Sequence, residues 1–237
     1  MSASTSPQPP QIRALQNFSA CDISDALLKL KVPNCGFLPD LKLHTPTPGI
    51  INPNAANRII IAPASTVQFI PRDATDLSAY PKGNVPNGKH WVDLIVPDTF
   101  VVISQPKGQI CAVIGGIMAL RMKVIGAQGV IAYGRIRDLD ELRATELPIW
   151  AMATSITGTG AEAKPHALQK PLDLDGTIVN PGDLVFSDPV NGIVIIPKDK
   201  VDDVLDMLPR MIEADDCVKE DVLNGMSVND AFKKWRG

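Results

Sequence analysis

The chain has 237 residues, of which 45% are hydrophobic and 21% charged, and its formal net charge is −3. That length and balance fit one large globular domain with appendages and a sizeable core. The near-neutral charge, with no basic block, argues against a broad nucleic-acid surface, and no apolar run reaches membrane-spanning length.

The opening MSASTSPQPPQ has no hydrophobic stretch of the secretory kind, and residues 1–16 are expected to be a disordered tail. FSACDISDALLKLKV reads as a first helix, with Ser19 or Asp22 as its cap and Ile23, Ala26, Leu27 and Leu30 at helical spacing. A Pro/Gly/Asn-rich segment follows to about Asn57. RIIIAPASTVQFI is predicted as strand, broken near Pro63. PRDATDLSAYPKGNVPNGKHWVD carries turn residues throughout and is expected to be an ordered excursion. TFVVISQP is another strand.

The next stretch, GGIMALRMKVIGAQGVIAYGRIRDLDEL from Gly115 to Leu142, holds the chemistry. Ile117, Leu120, Val124 and Ala127 predict a helical stripe from Gly116 to about Ile125. GVIAY reads as strand, GRIRD as the loop after it, LDELRAT as the start of another helix and PIWAMA as a short strand. DGTIVNPGDLVFSDPVNGIVIIP holds β-branched runs parted by Asn-Pro-Gly-Asp and Asp-Pro-Val-Asn-Gly turns. From Lys200 onward the pattern is helical and amphipathic. The sum is a layered α/β or α+β domain over residues 17–200 with a C-terminal helical arm over 201–237.

Several motifs do not carry function. GNVPNGKH, Gly83 to His90, nearly matches a phosphate-binding P-loop, but it ends in His90 where Ser or Thr is needed, contains Pro86 and follows no strand. GTGAEA, Gly158 to Ala163, reads as a flexible loop. Cys21, Cys35, Cys111 and Cys217 form no CxxC pair and are not clustered with His44, His90 and His166, which argues against zinc. Free thiols fit a reducing, cytoplasmic compartment.

Two features have both a functional and an ordinary reading. Gly115 and Gly116 open a helix, so the amides of Gly116, Ile117 and Met118 are placed to cradle a small carboxylate; tight packing is the ordinary alternative. Arg137 and Asp138 follow a strand, where α/β proteins set ligand groups. Arginine there suits a carboxylate or enolate oxygen, and Asp138 suits Mg²⁺ or Mn²⁺; a surface ion pair capping the next helix is the ordinary alternative.

The spacing Gly116, twenty residues, Arg137-Asp138, two residues, Glu141 resembles the signature of the RraA-like family, whose members include 4-hydroxy-4-methyl-2-oxoglutarate aldolases. DISDAL, IAPASTVQF, VVISQP and VNPGDLVFSDPVNGIVIIP resemble the family's other blocks in order, from Phe18 to the C-terminal helix. The resemblance implies a layered, swivelling β/β/α-type domain assembled as a homotrimer or homohexamer, with a C-terminal arm packing on the domain or a neighbouring subunit. It implies a lyase that needs Mg²⁺ or Mn²⁺ and no Schiff-base lysine. Such a lyase cleaves 4-hydroxy-4-methyl-2-oxoglutarate to two pyruvates or decarboxylates oxaloacetate. Asp138 is then the metal residue, Arg137 the enolate stabiliser, and Gly116, Ile117, Met118 and Arg137 the pyruvyl-binding set. In the aldolase branch an acid stands at the position of Gly116, and relatives often carry Asp at that of Tyr133. An acid of the C-terminal arm reaches a neighbouring subunit's site; among Glu213, Asp215, Asp216 and Glu220, spacing favours Asp216. The alternatives are a non-enzymatic binding protein, like the family's regulators of ribonuclease E, and a lyase for a different oxo acid.

Overall fold

The computed structural model describes residues 9–45 and 58–236. Residues 1–8 of the expected tail, the stretch 46–57 and Gly237 lie outside them. Within the tail, Pro10–Leu15 form a helix (α1) rather than disordered chain, and Ile12 and Leu15 are buried. Their apolar side chains join the core beneath the C-terminal arm, which orders the segment.

Helix α2 (Ala20–Lys29) starts where its sequence predicts. The Ser19 side chain accepts from the Asp22 amide, and the Asp22 side chain accepts from the Ser19 amide, a capping box that satisfies two otherwise unpaired donors. Strands β1 (Phe37–Leu38) and β2 (Lys42–Thr45) lead to β3 (Ile60–Pro71), the longest strand. β3 is not broken at Pro63. It pairs antiparallel with β10 over residues 60–63, then parallel with β4 over residues 64–68. Proline, which has no amide to donate, stands where the strand changes partner.

β4 (Phe100–Ser104), β5 (Gly129–Ile136) and β6 (Ile149–Thr154) continue the parallel centre, linked by α3 (Gly116–Ile125) and α4 (Leu139–Ala144). β7 (Ala163–Leu168) pairs antiparallel with β3. β8 (Leu172–Leu174) and β9 (Thr177–Val179) form a hairpin; β10 (Leu184–Asp188) and β11 (Gly192–Ile196) return to the main sheet. Helices α5 (Val201–Leu223) and α6 (Val228–Trp235) end the chain.

The layers follow from strand alternation. Val101 and Ile103 of β4 face a core with Ala119, Met122 and Leu142 of α3 and α4, while Phe100 and Val102 face the β8–β11 side. A third apolar layer joins α1, α2 and α5 to the outer face of β10 and β11. Burial on both faces explains the near-continuous hydrophobic runs of the parallel strands.

Two local expectations fail. The apolar stripe expected on α3 lies mostly outside: Ile117, Leu120 and Val124 are 74%, 58% and 67% exposed, and its one buried member, Ala127, falls past the helix end. The helix instead packs through Gly116, Ala119 and Met122, small or unbranched residues that let it lie close to the sheet. The GRIRD loop also shrinks, because β5 runs on to Ile136. The Gln105 side chain accepts from the Arg135 amide at 2.8 Å and stands in for a strand neighbour on the β4 edge of β5, just past the last β4–β5 pair at Ser104 and Tyr133.

Candidate functional site

Only Arg137 and Asp138 separate β5 from α4, so their directions are set by two regular elements. The segment before α3 is bonded along the same strand end: Val113 N donates to Arg135 O (2.9 Å), and Arg137 N donates to Ile114 O (3.1 Å). These bonds bring the glycine pair and the Arg-Asp pair together across twenty intervening residues.

Asp138 adopts the left-handed conformation, φ 58° and ψ 49°, which Asp tolerates better than most residues and which is frequent at functional positions. Its Oδ2 accepts from the Gly116 amide at 3.3 Å and lies 3.5 Å from Arg137 Nε. A Cβ on Gly115 would collide with that oxygen, and one on Gly116 with Glu141 Oε2. Both glycines are therefore required by close approach, and the Glu141 carboxylate occupies the space that a side chain at 116 would take. Ala119 N donates to Gly115 O, which starts the helical ladder, and the amides of Ile117 and Met118 have no partner among the described residues. Gly116, Ile117, Met118, Arg137, Asp138 and Glu141 are thus gathered at one helix mouth.

The mouth opens into a cleft of about 410 Å³. Gly115, Ile117, Met118, Arg137 and Asp138 line it together with Phe69, His90, Trp91 and Lys164. The GTG loop, read from sequence as merely flexible, closes the cleft beside Arg137. A Cβ on Gly158 would stand 3.2 Å from Arg137 Nη1. Glu162 anchors this loop: its Oε2 accepts from the Cys111 and Ile110 amides, each at 2.7 Å, and its carbonyl accepts from Gln109 Nε2. Those amides, Cys111 first, hold the Glu162 carboxyl below its usual range. The signal missed was a compact turn whose glycines give room to a guanidinium.

Other charged residues in and beside the Gly115–Leu142 stretch are structural. Arg135 donates to Thr154 O and Gln109 O, and Asp140 pairs with Arg143 on α4. Tyr133 does not reach the cleft. It faces the β8–β9 side, where its hydroxyl donates to Asp175 Oδ2 at 3.1 Å; burial, then Asp175, pushes its pKa up to about 12. Asp216 pairs with Lys219 on the exposed face of α5 and is not part of the cleft in its own chain.

Among the described residues no three His, Cys, Asp or Glu side chains cluster for a metal. Asp138 and Glu141 offer two carboxylates beside the glycine pair. Few hard oxygen donors with room for water suit Mg²⁺ or Mn²⁺ and do not suit zinc. No helix among the described residues is long and apolar enough to cross a membrane.

Comparison with known proteins agrees with the layered architecture. An uncharacterized protein of Pseudomonas syringae pv. tomato has a TM-score of 0.71 at 21% identity, covering 96% of this chain and 99% of its own. Streptomyces coelicolor RraAS2, of the RNase ES inhibitor RraA protein family, has a TM-score of 0.65 at 24% identity, covering 94% and 99%. In sequence, protein DlpA of Legionella pneumophila is 27% identical over 231 residues, 96% of this chain but 34% of that protein. The chain therefore spans about a third of that relative's length, and 57% of the Methanocaldococcus jannaschii protein MJ0644, which it matches at 28% identity over 51% of its own. A Halalkalibacterium halodurans protein provisionally named a 4-hydroxy-4-methyl-2-oxoglutarate aldolase is 28% identical over 171 residues, 72% of this chain and 74% of its own. The RraA-like family profile (Aldolase/RraA) matches residues 20–195, and the chain belongs to the RraA-like family.

Proposed function

We propose that this protein is a divalent-metal-dependent lyase acting on small 2-oxo acids through a pyruvate enolate, as a 4-hydroxy-4-methyl-2-oxoglutarate aldolase, an oxaloacetate decarboxylase or both. The supporting observation is the meeting of the Arg137 guanidinium, the Asp138 carboxylate and the Ile117 and Met118 amides, partnerless among the described residues, in the lining of one cleft, with the Glu141 carboxylate beside them against Gly116. Asp138 and Glu141 would hold Mg²⁺ or Mn²⁺. A bound cation would supply Lewis acidity toward the keto oxygen. The Ile117 and Met118 amides orient the pyruvyl carboxylate. Breaking the bond beyond C3 leaves an electron pair on the enolate, and the Arg137 fork faces the oxygen where that charge collects. Glu141, beside Gly116, supports this reading where the aldolase branch has an acid at 116.

The exposed Ile117, Leu120 and Val124, on the helix that lines the cleft, support a homotrimer or homohexamer in which this face is covered. Asp216 would then act in a neighbouring subunit. The four free cysteines favour a cytoplasmic setting.

The test is pyruvate release from oxaloacetate and from 4-hydroxy-4-methyl-2-oxoglutarate, with Mg²⁺, with Mn²⁺ and with chelator. An enzyme-free metal control is needed because free metal also decarboxylates oxaloacetate. Metal-stimulated turnover that Asp138→Ala removes supports the reading; rates at the control level on both substrates sink it. Gly116 lacks its own acid, which favours the second reading, a regulatory binding protein of the RraA type. An inert protein that captures a stoichiometric protein partner would establish that reading instead.

A further inference from the structure

The cleft holds a second cation that the Arg137–Asp138 chemistry leaves unused. Lys164 lines the same cleft, fixed by the β3–β7 pairing at the position facing Ile70. It is partly buried, and no carboxylate pairs with its ammonium among the described residues. An ammonium drawn partly out of water with no counter-ion costs free energy that a bound anion would offset. His90 also lines the cleft, and its Nδ1 accepts from Val92 N at 3.3 Å. A neutral His90 ring therefore carries its proton on Nε2 and has a donor to offer. The lining also includes apolar surface, where Phe69 and Trp91 meet edge to face with centroids 5.5 Å apart. The volume, about 410 Å³, is in the range that houses drug-sized ligands and well beyond what a three-carbon acid fills.

We propose that Lys164, assisted by His90 Nε2–H, forms an anion subsite for a second, distal carboxylate, so that the cleft selects dicarboxylic over monocarboxylic 2-oxo acids of equal length. This rests on the reading above, in which the pyruvyl end lies at Arg137. In an aldol cleavage, Lys164 would hold the carboxylate of the departing fragment and set the C3–C4 bond in place. It moves no proton and forms no covalent bond.

The experiment is a calorimetric titration of the whole protein in Mg²⁺ buffer with 2-oxoglutarate and with 2-oxopentanoate, five-carbon acids that differ in the distal carboxylate. The wild type should bind the diacid roughly tenfold more tightly, the effect of one charge-assisted contact at a partly exposed site. Lys164→Met and Lys164→Gln should bind both acids equally, at the wild-type affinity for the monoacid. Lys164→Arg should keep part of the preference, and His90→Ala should narrow it less than Lys164→Met. Equal binding by the wild type, binding of neither acid, or a preference that survives Lys164→Met and Lys164→Gln overturns the subsite. Turnover is read separately. A protein that releases no pyruvate yet shows the Lys164-dependent preference refutes the lyase and keeps the subsite; an active lyase without the preference does the reverse.

Discussion

Asp138 and Asp188 both stand at the exit of a strand beside the start of a helix, and they have opposite surroundings. Asp188, at the end of β10, is 4% exposed. It accepts from Ala20 N at the start of α2, Val190 N, Asn191 N and Asn191 Nδ2, at 2.8–3.2 Å. Burial alone would raise its pKa; those hydrogen bonds, led by Asn191, more than compensate and hold it low. Asp138 has a side chain 40% exposed, one amide at 3.3 Å and a guanidinium at 3.5 Å. A carboxylate whose lone pairs are filled by the fold is a brace. One with its lone pairs mostly open, held in a left-handed backbone, is available to a ligand.

Replacing each acid should separate the two roles. Asp138→Ala should lower lyase turnover by about a hundredfold or more, while its melting transition moves by less than about 1 kcal/mol, because little protein is bonded to that carboxylate. Asp188→Ala should do the opposite. Leaving its buried donors without an acceptor should cost about 2–3 kcal/mol in urea unfolding, with turnover per folded molecule unchanged. If Asp188→Ala abolishes turnover in fully folded protein, the contrast collapses.

Gly116→Ala probes the ground between them. The new Cβ meets Glu141, including its Cβ at 2.5 Å, so α4 has to shift as well as the carboxylate. A loss of about 1–2 kcal/mol is expected, together with weaker Mg²⁺ stimulation that Glu141→Gln reproduces without the stability loss. Acid titration gives a smaller effect. Because the folded pKa of Asp188 lies below its ordinary value near 3.8, its contribution is fully present above that value and fades as pH falls through the lower folded one. Melting temperatures of the wild type and Asp188→Asn should therefore differ most above pH 4 and converge in stronger acid. Asp140→Ala, which removes one exposed i,i+3 pair with Arg143, should shift stability by about 0.3 kcal/mol and leave turnover alone.

The sequence was legible where one local rule decided the outcome. The Ser19 capping box fixes the start of α2, and the glycines at 115 and 126 bound α3 at both ends. It was not legible where a distant side chain decided. Gln105 prolongs β5 and shortens the Arg137–Asp138 loop, and nothing in GRIRD announces it. The apolar stripe of α3 gave the helix but the wrong buried face, because close packing on the sheet favours Ala119 and Met122 over the bulkier Ile117 and Leu120. The Gly-to-Arg-Asp spacing pointed to one mouth. The rest of the cleft lining, from His90, Trp91, Lys164 and Gly158, comes from separate loops and strands that no spacing rule joins.

The strand that changes partner at Pro63 also shapes how the chain reaches its fold. β3 pairs residue 61 with residue 186 and residue 70 with residue 164, yet residue 64 aligns with residue 100 in the parallel centre. Neither the parallel centre nor the β10–β11 layer is complete without this one strand, and its far partners come late in the chain. Long loops must close before that pairing repays their entropy, so the native sheet is expected to form slowly and in a single cooperative step. A chain still being synthesised would carry the edge of β3 that β7 and β10 share bare until those strands emerge, an exposed strand edge inviting mispairing.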